Sequence, residues 1–194
     1  MQPQQWHQQI DDNTSAFKKY FGGLSSEELN WKPSQEQWSI AQNIDHLITI
    51  NRTYFNVVSD IRSGNYHPPF LSKFGFVVGL FGNMIYKASL PDRKKKITTF
   101  QIWQPKDGPG PSDILEKFEA HHEELKQLIS SSMDLVKAGF VISSPANKNI
   151  IYKLEKAFDI ITVHEQRHLE QAKDVLTEMK ENSDKVVPLR QNSA

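Results

Sequence analysis

His164 and His168 stand four residues apart in the stretch His164-Glu165-Gln166-Arg167-His168. The surrounding run from Ile150 to Met179 contains neither Gly nor Pro. On a helix this spacing sets two imidazoles on one face, one turn apart, where both can close on a single divalent metal. With Phe158 as the origin and 100° per residue, Ala157, Ile161, Ala172, Val175, Leu176 and Met179 share an arc of roughly 120°. His164 and His168 fall inside or at the edge of that arc and so point inward. A pair of hydrogen-bonded core histidines would read the same way. What favours metal is the pair together with a third histidine on another inward face. Glu165 is the nearest candidate for a general base, because it projects to the same broad inward side as Phe158 and Leu169, where an unpaired carboxylate is costly. A salt bridge or a polar contact on another helix is its alternative.

These residues need a scaffold, and 194 residues suffice for one domain with a full core. Lys plus Arg equals Asp plus Glu, so no overall field favours nucleic acid. The absence of Cys removes disulfides, thiolate nucleophiles and Cys-based zinc sites. Met1–Gln5 has neither a basic n-region nor an apolar h-region, which makes the cytoplasm the expected address. No apolar run approaches the roughly 20 residues of a membrane span.

Four amphipathic segments and no strand pattern predict an all-α bundle. The first helix spans Gln4–Phe21, with Trp6, Ile10, Phe17 and Tyr20/Phe21 on one stripe, and Gly22-Gly23 ends it. Leu24–Leu29 gives a helical turn at most. The second helix starts at a capping box, Ser39 with Gln42 at N3 and Trp38 as the staple, and runs to about Arg62. Its apolar positions cover more than half its circumference, which marks a helix buried on two sides. His46 sits at the edge of that arc, where a half-buried surface histidine is the simpler expectation for it alone. Asn43 lies one turn before and is placed to orient it or a bound water. The third helix starts after Ser112-Asp113, with His121 on its inner stripe and His122 at the flank. His121 reads as a core histidine. Ser143–Asn147 reads as a loop into the fourth helix. The domain is expected over 1–180, with a polar tail from Glu181.

Residues 66–111 form a long, apolar connection between the second and third helices. Phe74–Phe81 could form a lid, a dimer contact or a membrane-touching loop, and a lid or extra core layer is favoured over membrane contact. Arg93–Lys96 reads as a solvated turn. Phe100–Trp103 alternates like a strand before a Pro/Gly-rich closure. A connection that long can return the chain to its starting end, so the second and third helices can run parallel. Any site would then be built where His46, His164 and His168 face one another.

Leu24-Ser25-Ser26-Glu27-Glu28-Leu29, Pro33, Trp38-Ser39-Ile40-Ala41-Gln42 and His46-Leu47 resemble the opening of the DinB-like (YfiT-like) family. His164-x3-His168-x2-Gln171 resembles its closing motif. The resemblance implies an up-down-down-up four-helix bundle, frequently a homodimer. It also implies a three-histidine divalent metal site, zinc or nickel foremost, on His46, His164 and His168. The long 66–111 connection departs from the family pattern.

Three imidazoles leave an open coordination position, as in catalytic metal sites. A water there has its pKa lowered toward neutrality, and a thiol is deprotonated. The resemblance accordingly implies either a metal-dependent hydrolase of a small molecule or a transferase adding a low-molecular-weight thiol to an electrophile. A non-catalytic, stress-related binding or dimeric bundle is the third expectation. His164–His168 also matches the H-E-x-x-H pattern of zincin proteases. Zincins take their third ligand from a separate downstream element, whereas Glu170, Glu178 and Glu181 here lie on or at the end of the same helix.

Overall fold

The computed structural model describes residues 3–92, 99–106 and 108–186. Four long helices form the bundle: α1 (Pro3–Phe21), α3 (Ile40–Arg62), α5 (Ile114–Ser131) and α7 (Leu154–Val186). Between them lie α2 (Ser26–Asn30), α4 (Gly75–Ser89), α6 (Met133–Lys137) and a hairpin of β1 (Val141–Ser144) and β2 (Asn147–Lys153). Both capping boxes close as their residue types dictate. Ser25 pairs with Glu28 at the start of α2, and Ser39 with Gln42 at the start of α3.

Side-chain pairs set the helix directions. Trp6 donates to Asp159 and Asn13 to Glu165, both at 2.9 Å, so α1 and α7 run parallel. Thr14 meets His122 at 2.6 Å and Lys18 meets Glu119 at 3.0 Å, which makes α5 antiparallel to α1. Arg52 reaches Glu124 at 3.1 Å and Arg62 reaches the Ser131 carbonyl at 2.6 Å, so α3 runs with α5. The order is up-down-down-up, and the long crossover from α3 to α5 is what permits two adjacent helices to share a direction.

The core has two apolar halves. One gathers Phe17, Phe21, Ile44, Leu47, Phe118, Leu169 and Leu176. The other gathers Trp6, Ile10, Tyr54, Leu125, Ile129, Tyr152 and Phe158. Between them lies a layer of buried polar side chains that includes Asn13, Asn51, His122 and Glu165.

Several expectations need correction. Residues 141–153 are an antiparallel hairpin, with Val141 opposite Lys153 and Ile142 opposite Tyr152. The helix predicted from Ile150 therefore begins at Leu154. Ile150-Ile151-Tyr152 has the β-branched and aromatic composition of a strand, and its pairing partner is supplied by Val141–Ser144. The 66–111 connection is more regular than expected, because it contains α4 and, before it, a 3-10 turn at Phe70–Lys73. Phe100–Trp103 is not a strand, since Gln101–Trp103 winds into another 3-10 turn. At the C-terminal end α7 continues to Val186, past the expected start of the tail. The basic run Arg93–Lys96 and residues 187–194 lie outside the described residues.

As an extra layer, α4 packs on β2 and α7. Gly82 makes this possible: a Cβ there would meet Lys156 Cγ at 3.1 Å and Tyr152 Cβ at 3.2 Å. Arg167 of α7 donates to the Ala88 and Leu90 carbonyls at the end of α4. No described helix is long and apolar enough to cross a membrane.

Candidate metal centre

The Ser39 cap fixes where α3 begins, and therefore which way its first turns face. Asn43 is held by its own helix, donating Nδ2–H to the Ser39 carbonyl at 2.9 Å. That bond leaves Asn43 Oδ1 as an acceptor, and it lies 2.8 Å from His168 Nδ1. His168 therefore carries its proton on Nδ1 and turns Nε2 inward. His46 is set the same way by a different partner: its Nδ1–H donates to the Trp103 carbonyl at 2.6 Å. Two of the three rings are thus fixed with Nε2 available, the outer-ring hydrogen bonding found behind metal-ligating histidines.

The three rings converge. His46, His164 and His168 each present a ring nitrogen, and these nitrogens all lie within 4.8 Å of one another. His164 Nε2 and His168 Nε2 are 3.1 Å apart. Two nitrogens bound to one tetrahedral zinc at about 2.0–2.1 Å would sit about 3.3 Å apart, so this spacing suits a shared cation. Among the described residues this is the one group of three or more His, Asp or Glu side chains with metal-binding spacing.

Electrostatics agree with the geometry. Burial lowers the pKa of all three histidines. His164 is pushed down to about 3, with repulsion from His46 and Arg167 adding to burial. Neutral imidazoles keep their lone pairs for a metal through the physiological range.

Trp38 caps the cluster, its ring 4.8 Å from His46 and stacked on His168 at 5.9 Å. Beyond the histidines opens a cavity of about 730 Å³. Its walls include Tyr54, Ile85, Phe100, Trp103, Tyr152 and Ile161, and Gln171 also reaches it. The Tyr54 and Tyr152 hydroxyls share a hydrogen bond of 2.8 Å. The carboxylates that line it are Glu36, Asp174 and Glu178.

Glu165 faces elsewhere. Its Oε2 accepts from Asn13 at 2.9 Å, and its Oε1 accepts from Asn51 at 2.8 Å and lies 3.2 Å from His122 Nε2. Burial alone would raise its pKa, but the His122 charge and these three hydrogen bonds outweigh that and hold it below the usual carboxylate value. His46, expected at a half-buried edge, is buried. His121 is the core histidine expected of it, although neither ring nitrogen has a hydrogen-bond partner. His122 is not at a flank but buried, bonded to Thr14 and Glu165.

Trp103, Tyr54, Tyr152 and Asn51, which also lines the cavity, are residues of the candidate site that the sequence does not single out. The Trp103 contribution is a main-chain carbonyl, for which residue type carries no signal. The two tyrosines, one on α3 and one on β2, lie 98 residues apart in sequence and meet only in the fold.

The model of the DinB superfamily matches residues 9–172. The chain belongs to the DinB superfamily. Its fold resembles that of YfiT from Bacillus subtilis, with a TM-score of 0.55 and 17% sequence identity, over 92% of this chain and 88% of that one. YfiT is described as a probable metal-dependent hydrolase with an unusual four-helix bundle topology. Among curated proteins, none matches this chain.

Proposed function

We propose that this DinB protein is a metal-dependent hydrolase of a small molecule, with His46, His164 and His168 as the metal ligands. The carrying observation is the convergence of three neutral imidazoles, two of them locked with Nε2 inward by Trp103 and Asn43. A divalent ion held by three histidines supplies Lewis acidity and lowers the pKa of a water toward neutrality. The chain's own residues do the rest. Asn43 and the Trp103 carbonyl hold the rings, Trp38 shields them from solvent, and the cavity's aromatic wall favours a substrate with an apolar body. The description of YfiT as a probable metal-dependent hydrolase supports the same reading. Zinc or nickel suits three imidazoles, the identity being set by availability as much as by the donors.

Water is preferred to a thiol as nucleophile because of the lining charges. Glu36, Asp174 and Glu178 would repel an anionic thiol, and the lining cation Arg167 is bonded to the Ala88 and Leu90 carbonyls. Glu165 is assigned to hold the bundle together rather than to move the proton, since a base with both oxygens bonded would first have to break those bonds.

The test has two stages. Elemental analysis of the purified protein should give roughly one divalent ion per chain, lost in His164→Ala/His168→Ala. The loaded protein should then hydrolyse members of an ester and amide panel without added thiol. Metal-free protein after reconstitution with zinc and nickel would overturn the site. Turnover that depends on an added thiol would overturn the hydrolase in favour of the transferase.

A further inference from the structure

Only one face of α4 is used by the bundle. Val78 and Gly82 are buried on the inward side, against β2 and α7. The outward side carries Phe76, Leu80 and Met84 at i, i+4 and i+8, which are 77%, 64% and 48% exposed. The preceding turn extends this surface with Phe70, 71% exposed, whose ring lies 6.0 Å from that of the exposed Phe74. So many large apolar side chains grouped in the open mark a docking surface rather than ordinary surface scatter.

Charge identifies the partner. No Asp or Glu occurs between Asp60 and Asp92, whereas Lys73 and Lys87 are exposed beside the apolar face. Lys73 Nζ sits 5.5 Å from the Phe70 ring. The chain as a whole carries a net charge of zero. The segment that exposes the phenylalanines is therefore positive within a neutral protein. A second copy docking through the same face in a two-fold contact would meet an identical surface, with lysines and no carboxylates to pair them. An anionic lipid surface offers both missing partners, an apolar layer for the rings and negative headgroups for the lysines. With 15 residues, α4 is too short to span and would lie in the plane of the interface.

We propose that α4 and the turn before it dock this protein on an anionic lipid surface, with Phe70, Phe74, Phe76, Leu80 and Met84 at the acyl boundary and Lys73 and Lys87 among the headgroups. This inference is independent of the hydrolase reading, because these side chains do not touch the histidine cluster.

Vesicle flotation tests it, using phosphatidylcholine alone and phosphatidylcholine mixed with phosphatidylserine. The protein should float with the mixed vesicles at least about tenfold better than with phosphatidylcholine, and should be released by salt. Phe76→Ser/Leu80→Ser should abolish flotation while retaining the wild-type circular dichroism and metal content. Lys73→Gln/Lys87→Gln should weaken it by about tenfold. Light scattering in the absence of lipid runs alongside. Absence of flotation, or flotation indifferent to phosphatidylserine, overturns the proposal. So does a dimer that Phe76→Ser/Leu80→Ser dissociates, which would assign this face to a second copy.

Discussion

Asn43 is where the cap of a helix becomes the chemistry of a site. Its amide is oriented by the Ser39 carbonyl, and its oxygen sets the His168 tautomer. Asn43→Ala should leave the fold intact and weaken metal binding by about 10–100-fold, measured by competition with a chromogenic chelator. Glu165 should behave in the opposite way. Glu165→Gln places an N–H where the carboxylate accepted from Asn13, Asn51 or His122, at a cost of about 3 kcal/mol in urea unfolding, with metal stoichiometry preserved. A full loss of turnover with unchanged stability would instead make Glu165 the base. His121 is a different kind of buried polar residue, because its ring has no hydrogen-bond partner. His121→Leu should be neutral or stabilising by thermal melting, since it removes an unsatisfied group at similar volume.

At the scale of the elements, legibility in the sequence follows how local each cause is. The phase of α3 is set by Ser39 and Gln42, so residue types and spacing put Asn43 and His46 one turn apart, whereas the burial of His46 depends on the sequence-distant Trp103 carbonyl. The i,i+4 histidines of α7 are equally local. The hairpin is hidden because Ile150–Lys153 runs into α7 with no Gly or Pro between, so a strand looks like one more helical turn until Val141–Ser144 pairs with it. The apolar composition of α4 on both sides erases the periodicity that marks a helix, and its partners, β2 and α7, are distant in sequence. That packing depends on Gly82. Gly82→Val should force α4 away from Tyr152 and Lys156, lower stability by about 1–3 kcal/mol, and increase proteolytic cleavage within 75–89.

For the molecule as a whole, acid is the revealing variable. His46, His121, His164 and His168 all resist protonation when folded, chiefly through burial, with His121 held at about 4 and His164 at about 3. In the unfolded chain they take up protons near the ordinary value of about 6.5. The unfolded state then binds more protons, so metal-free protein should lose stability steadily as pH falls below about 6.5, until the folded pKa values are reached. Urea midpoints taken at about pH 7.5, 6.5 and 5.5 should decline in that order, and the decline should shrink in His164→Ala/His168→Ala. A flat profile would mean that the imidazoles are not held neutral.

The pairing of the first and last long helices also bears on synthesis. Trp6 waits for a partner, Asp159, that lies 153 residues later in the chain. At translation speeds of about 5–20 residues per second, that interval is on the order of ten to thirty seconds. Throughout it the emerging chain holds Trp6, Ile10 and Phe17 without the α7 surface that buries them. A nascent chain of this order exposes its first apolar stripe to whatever holdase waits at the ribosome until α7 has emerged.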